Sequence, residues 1–377
     1  MKEIRDILER VAEFGEEGRG VLATVVDLQG SGYRLPGARM LISVNGETIG
    51  TVSGGCLEAD VLERAKKVSE TGRPEIFTYD TTADESSVFS LNMGCRGVIR
   101  ILLECVGRDS RLIERLRMAN VGRERQAVAT LIAAETEAEV NIGGRAFLSD
   151  VSHLEFDGLA GFLRGMPELG KACSRFFASG SDSDVGTFES PEGSFEFAFE
   201  AIEPPILLLL YGAGADAVPM ARIGTQLGWQ VTVHDHRPAF LTPERFPAAQ
   251  KLVLAGPDGI FDAISSDART AAVIMTHNYG RDRGILPMLL RSNVFYIGVL
   301  GPKRRTEQLL GELAAGGDNF TENELSRLYA PVGLDIGADT PEAIVLSIAA
   351  EIQSVLKRRG GGHLRDRQGS IYDRKQQ

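Results

Sequence analysis

Two cysteines stand where the surrounding residues favour chemistry. Cys56 follows Ser53, Gly54 and Gly55 in the run SGGCLE, and Cys95 lies in MGCRG. Glycines let a ligand approach the backbone closely. A thiol behind them, in the first turn of a helix, meets free amide N–H groups and the positive end of the helix dipole. That setting favours the thiolate, which is both nucleophile and metal ligand. The amides of Ser53, Gly54 and Gly55 read at the same time as an anion-binding turn. Arg34 and Arg39, just upstream in GSGYRLPGARM, are of the type that pairs with phosphate, although Arg39 is equally suited to a carboxylate. A buried structural cysteine beside a glycine turn is the alternative for Cys56, as an unrelated turn cysteine is for Cys95. Cys105 and Cys173 are assigned to packing.

The elements that must position these groups follow from the apolar pattern. Ile4, Ile7, Leu8 and Val11 form the stripe of a first helix, and Val21–Asp27 reads as a strand. Met40–Val44 is a buried strand, Asn45-Gly46 is a strong hairpin signal, and Thr48–Val52 returns. Leu57, Val61, Leu62, Ala65 and Val68 share one helical face, which places Cys56 in the helix's first turn. Strands follow at Ile76–Tyr79 and Val98–Val106, a helix at Ser110–Met118, and a further strand at Ala127–Ala134. Here the chain echoes itself: VLATVVD and GARMLIS near Val21 and Gly37 recur as AVATLIA and GGRAFLSD near Ala127 and Gly143. Two paired strands of one sheet, or a decayed duplication, would both produce this. Ser179–Ser194, rich in Ser, Gly, Asp and Glu, reads as a surface loop, and Phe195, Phe197 and Phe199 alternate as in a half-buried strand. Pro204-Pro205 is a stiff joint that ends the first domain.

A second domain opens with the apolar run Ile206–Tyr211, of the kind buried on both faces of a parallel sheet. Gly212 to Ala217 (GAGADA) follows, then a helix to Gly228, then Val231–Asp235. Strand, glycine turn, helix and strand, with an acid about 20 residues on, is the frame of a dinucleotide fold. Gly212, Gly214 and Asp235 therefore read as NAD(P) contacts. Strands at Lys251–Leu254, Ala271–Met275 and Val294–Val299 continue the alternation, and His234, His277, Gly301 and Lys303 join Asp235 at strand ends, where such sheets bind ligands. Asp339 or Thr340 caps a helix that begins at Pro341. The expected fold is α/β: an N-terminal α+β domain with a mixed sheet (1–203), a C-terminal Rossmann-like doubly wound parallel sheet (204–359), and a disordered tail (360–377).

The totals exclude several classes. A net charge of −11 and a pI near 5.2 argue against nucleic acid and anionic membrane as partners. No apolar run is long enough to span a bilayer. The first helix carries acids and is no signal peptide. Four cysteines in 377 residues are no disulfide framework, so the reducing cytoplasm is the expected compartment.

With its pieces in place, the chain resembles the XdhC/CoxI family of accessory factors for xanthine dehydrogenase and related molybdenum hydroxylases. The resemblance covers most of the chain and rests on GSGYRLPGARML, SGGCLEADVLERA, MGCRGVIRILLE, LLLYGAGADA, VHDHRPAF, THNYGRD, YIGVLGPKRR and GLDIGADTPEAIVLSIAAEI, in that order. Arg96 stands where many relatives have glycine, and Ala215 and Asp216 stand where many have histidine. The resemblance implies a chaperone rather than an enzyme. Such a protein binds molybdenum cofactor, presents it to a cysteine desulfurase for sulfuration, and delivers it to the apo-hydroxylase. It implies Cys56, as metal contact, and Cys95 near the molybdenum, with the phosphate of molybdopterin on the glycine-turn amides, Arg34 and Arg39. A homodimer is the expected assembly. Two other functions stay in view: an NAD(P)-dependent oxidoreductase using the second domain with His277, and a scaffold that binds a partner without ligand.

Overall fold

The computed structural model describes residues 2–80, 97–150, 153–255, 266–368 and 371. The chain divides into two compact units between Pro204 and Pro205.

The N-terminal unit runs α1 (Lys2–Ala12), β1 (Gly20–Gly30), β2 (Arg39–Ile42), β3 (Thr48–Gly50), α2 (Glu58–Thr71), β4 (Glu75–Asp80), β5 (Gly97–Val106), α3 (Arg111–Asn120), β6 (Gln126–Thr136), β7 (Arg145–Leu148), β8 (Leu154–Asp157), α4 (Gly161–Arg164), α5 (Pro167–Ser179), β9 (Ser183–Ser190) and β10 (Gly193–Ile202). The strands make two five-stranded sheets, β3-β2-β1-β5-β4 and β8-β7-β6-β10-β9. Every pairing is antiparallel, where the sequence suggested a mixed sheet. The Asn45-Gly46 hairpin forms, with Gly46 at φ +83° and Ser43 N–H bonded to Glu47 O at 2.9 Å.

The echo in the sequence is a structural duplication. Its strands lie in different sheets of identical order, not side by side in one. Thr24 pairs with Arg39 as Thr130 pairs with Arg145, and Leu22 faces Glu104 as Val128 faces Glu200. Both first strands bulge at the same place, at Val26 and at Ile132. Those two residues pack together with Leu102 and Ala198, which are also equivalent to each other. The stretch expected as a surface loop at 179–194 instead contains β9. Its polar residues sit on an edge strand with alternating exposure, so the composition that resembles a loop belongs to a solvent-facing strand.

The C-terminal unit runs β11 (Leu207–Tyr211), α6 (Ala217–Gln226), β12 (Gln230–Asp235), β13 (Lys251–Leu254), β14 (Thr270–Ile274), α7 (Tyr279–Leu290), β15 (Tyr296–Val299), α8 (Lys303–Ala315), α9 (Glu322–Leu325), β16 (Leu328–Tyr329) and α10 (Pro341–Leu356). Six parallel strands take the order β13-β12-β11-β14-β15-β16. Leu208 and Leu210 pack towards α6 and α10, and Leu209 and Tyr211 towards α7 and α8, so β11 is covered on both faces. The order reverses between β11 and β14, the crevice where open parallel sheets take ligands. Thr340 caps α10 by accepting a bond from Ala343 N–H, with Pro341 at its first position. The tail is described to Gln368 and includes a short 3-10 turn at Leu364–Asp366.

Candidate functional site

The loop between β3 and α2 carries Cys56 exposed. Helix α2 starts at Glu58 with Leu57 as its N-cap, so Cys56 stands just ahead of the helix and not in its first turn. Gly54 and Gly55 adopt φ of +80° and +114°, and a Cβ on Gly54 would meet the Tyr33 ring at 2.6 Å. The Glu58 carboxylate folds back into the loop. It accepts from the amides of Val52 (3.3 Å), Ser53 (3.0 Å), Gly54 (3.2 Å), Gly55 (2.8 Å) and Leu57 (3.2 Å), and from the hydroxyls of Thr51 (2.5 Å) and Ser53. The amides of Ser53, Gly54 and Gly55, expected to face a ligand's phosphate, are bonded to this side chain instead.

Burial by itself would raise the Glu58 carboxyl, but the Ser53 and Thr51 hydroxyls and the loop amides outweigh it and bring it to about 2. A carboxyl depressed on folding stabilises above its unfolded value, near 4.5, and loses that contribution as pH falls towards about 2. Wild type should therefore be more stable than Glu58→Gln at pH 6. The gap between their urea midpoints should close between pH 4.5 and pH 2. A gap unchanged across that interval would contradict this assignment.

Neither arginine of the upstream loop stands free. Arg34 Nη2 is 2.5 Å from Glu3 Oε2. Arg39 is 1% exposed, donates to both Glu200 oxygens at 2.7 and 2.6 Å and to Gly37 O at 2.9 Å, and is the carboxylate-paired arginine rather than a phosphate contact. Its equivalent in the second copy, Arg145, holds Glu104 with two bonds and Gly143 O with a third. Glu58, Glu200 and Glu104 are absent from the expectations drawn from sequence. The matched GAR and GGR of the echo mark the arginine partners of the last two, not the acids themselves. Cys95 lies outside the described residues.

In the C-terminal unit the expected residues do gather at strand ends. Gly212 has φ +114° and ends β11 where the Met275 carbonyl presses close. Asp235 is 3% exposed and accepts from Ala213 N (2.6 Å), from Arg237 N (2.9 Å) and from the Arg237 guanidinium (2.9 and 2.8 Å). Burial would raise its carboxyl, but the Arg237 guanidinium and these amides hold it far below the usual range. It therefore ties the glycine loop to the sheet, where a ribose-binding acid would present an open carboxylate. Asp216, at the N-cap of α6, reaches His277 Nε2 at 2.9 Å and puts negative charge at the helix end that takes pyrophosphate in that fold. His277 itself has φ +52° and is exposed. His234 is half-buried and stacked on Tyr211, and burial pushes it down to about 4. Lys303 is exposed, 3.9 Å from Glu307. This arrangement does not favour NAD(P). A cavity of about 280 Å³ opens beside Gly301, Leu334, Asp335 and Ile344, and none of Asp235, His277 or Lys303 lines it. Among the described residues no group of three or more His, Cys, Asp or Glu is placed to hold a metal ion. No helix among them is long and apolar enough to cross a membrane.

Residues 15–80 match the model of the XdhC and CoxI family, and residues 208–352 that of the XdhC Rossmann domain. A Bacillus subtilis (strain 168) protein named as a probable xanthine dehydrogenase subunit is 32% identical over 361 residues, which is 95% of this chain and 99% of the relative. The chain belongs to the XdhC and CoxI family. The matched XdhC and CoxI segment contains Arg34, Arg39, the Cys56 loop and Glu58, and ends with β4; the XdhC Rossmann match spans β11 to most of α10. The molybdenum cofactor insertion chaperone PaoD of Escherichia coli (strain K12) is 25% identical over 352 residues, 93% of this chain and 88% of that one. A crystal structure described as a xanthine dehydrogenase from Bacillus halodurans matches with a TM-score of 0.74 at 28% identity, covering 95% of this chain and 97% of that one.

Proposed function

We propose that this XdhC-family chain is an accessory chaperone that binds molybdenum cofactor, supports its sulfuration and delivers it to an apo-hydroxylase of the xanthine dehydrogenase type. The observation that carries the reading is the exposed Cys56 thiol on a loop tied down by seven donors to Glu58. A soft sulfur donor suits a metal already bound by sulfur. The same loop does not suit the phosphate end of the cofactor, because its amides and both nearby arginines already hold carboxylates. The fit is thus of Cys56 to the metal end. When bound, the cofactor supplies the redox-active molybdenum centre of the target enzyme. The described loop presents the Cys56 thiol to it and keeps the surrounding donors occupied. A cysteine desulfurase as sulfur source, a homodimer and a cytoplasmic setting belong to the same proposal.

The experiment is activation of an apo-hydroxylase by free molybdenum cofactor with and without this protein. Wild type should raise the recovered activity, and Cys56→Ser should remove most of that gain while remaining folded. Equal activation by wild type and Cys56→Ser would leave a partner-binding scaffold as the better account.

A further inference from the structure

Loops that present successive amides to one point, with glycines at positive φ, are anion-binding nests. The loop from Thr51 to Leu57 has this form: five amides and two hydroxyls converge on one place, and that place holds the Glu58 carboxylate. Ser53 Oγ also accepts from Leu57 N at 2.8 Å, and Thr51 Oγ1 from Gly54 N at 3.0 Å, so the hydroxyls are fixed by the same network. Cys56 lies between Gly55 and Leu57, whose amides both donate to Glu58 Oε2. Its backbone is therefore pinned on either side while its thiol faces solvent.

We propose that Glu58 is the positioning residue of this site and sets its ligand selectivity. The nest is filled from within, so free oxyanions are refused, and what this loop offers an incoming ligand is the Cys56 sulfur. The converging N–H dipoles are balanced by that carboxylate, and removing it would leave the nest open to a free anion. Only the identity of the Cys56 ligand rests on the chaperone reading. The refusal of oxyanions does not.

The test follows alkylation of the Cys56 peptide by iodoacetamide, read by mass spectrometry at one fixed pH, in wild type, Glu58→Gln and Glu58→Ala. Sodium formate and inorganic phosphate are the probes. Wild type should label at the same rate with either anion present. In Glu58→Ala both anions should change the labelling rate by filling the vacated nest beside the thiol. Glu58→Gln should lie between them and be less responsive to formate. A purely structural role would lower stability without an anion-dependent rate. Protection of wild-type Cys56 by phosphate, or a Glu58→Ala rate that neither anion changes, would overturn the proposal. Should Glu58→Ala fail to fold, the wild-type phosphate arm and Glu58→Gln decide it. No arm contains molybdenum cofactor, so failure of the chaperone reading would leave these results standing.

Discussion

Glu104→Ala is expected to cost the N-terminal unit about 3–5 kcal/mol, the range for stranding one partner of a buried ion pair. Glu104 on β5 is 6% exposed and Arg145 on β7 is 6% exposed, and they share two bonds. Removing the carboxylate leaves a buried guanidinium whose charge is met by the Gly143 carbonyl and no longer by an acid. The pair bridges the two sheets, because β5 belongs to the first and β7 to the second. The equivalent bridge runs the other way, from Arg39 on β2 to Glu200 on β10. Replacing both partners, Glu104→Leu with Arg145→Met, should be far milder than the single change, since no charge is left behind. Urea unfolding followed by circular dichroism measures both. A single variant within about 1 kcal/mol of wild type would show the pair behaving like an exposed one.

Gly212→Ala is expected to destabilise the C-terminal unit by about 2–5 kcal/mol, from backbone strain and overpacking together. A Cβ there would overlap the Met275 carbonyl oxygen, and φ is +114°. The two central strands cannot separate to admit it. Gly212 N–H bonds His234 O at 2.8 Å on one side, and Met275 N–H bonds Tyr211 O at 2.7 Å on the other. Gly214→Ala is the control: its Cβ would have only His277 Cδ2 nearby, at 3.9 Å, and its φ is not positive, so it should cost less than about 1 kcal/mol, the helix-type glycine-to-alanine scale. Trp229, the single tryptophan, is buried in this unit, and its fluorescence during denaturation reports the change. Equal effects of the two substitutions would contradict the contact with Met275.

Local order in the chain was legible where a short-range rule decides it. Asn45-Gly46 makes its hairpin because both strands are adjacent in sequence. GAGADA, followed by a helix and Val231–Asp235, forms the βαβ unit because the glycine turn, the apolar run and the returning strand lie within about 30 residues. The echo of Val21 in Ala127 was visible, but its meaning was not: only the pairing of strands separates one sheet from two. β9 was missed because an edge strand with one wet face has the composition of a loop. At the candidate site, sequence singled out Cys56 and its glycines but placed the helix start too early. It also left the amides open. An acid in the first turn of a helix behind a glycine turn is the signal that could have pointed to Glu58. Arg39 and Glu200 are 161 residues apart, and no local rule joins them. Asp235 was found by its spacing, yet spacing cannot tell an acid that holds a ribose from one that holds its own loop through Ala213 and Arg237.

The most direct test of the central claim is anaerobic. The protein is mixed with molybdenum cofactor, free ligand is removed on a sizing column, and molybdenum and pterin are measured per chain in wild type and Cys56→Ser, with NAD and NADP run in parallel by calorimetry. Near-stoichiometric molybdenum that falls in Cys56→Ser, with no heat from either nucleotide, is the predicted result. Molybdenum retained equally by Cys56→Ser, or no molybdenum and clear binding of NAD or NADP, would contradict it.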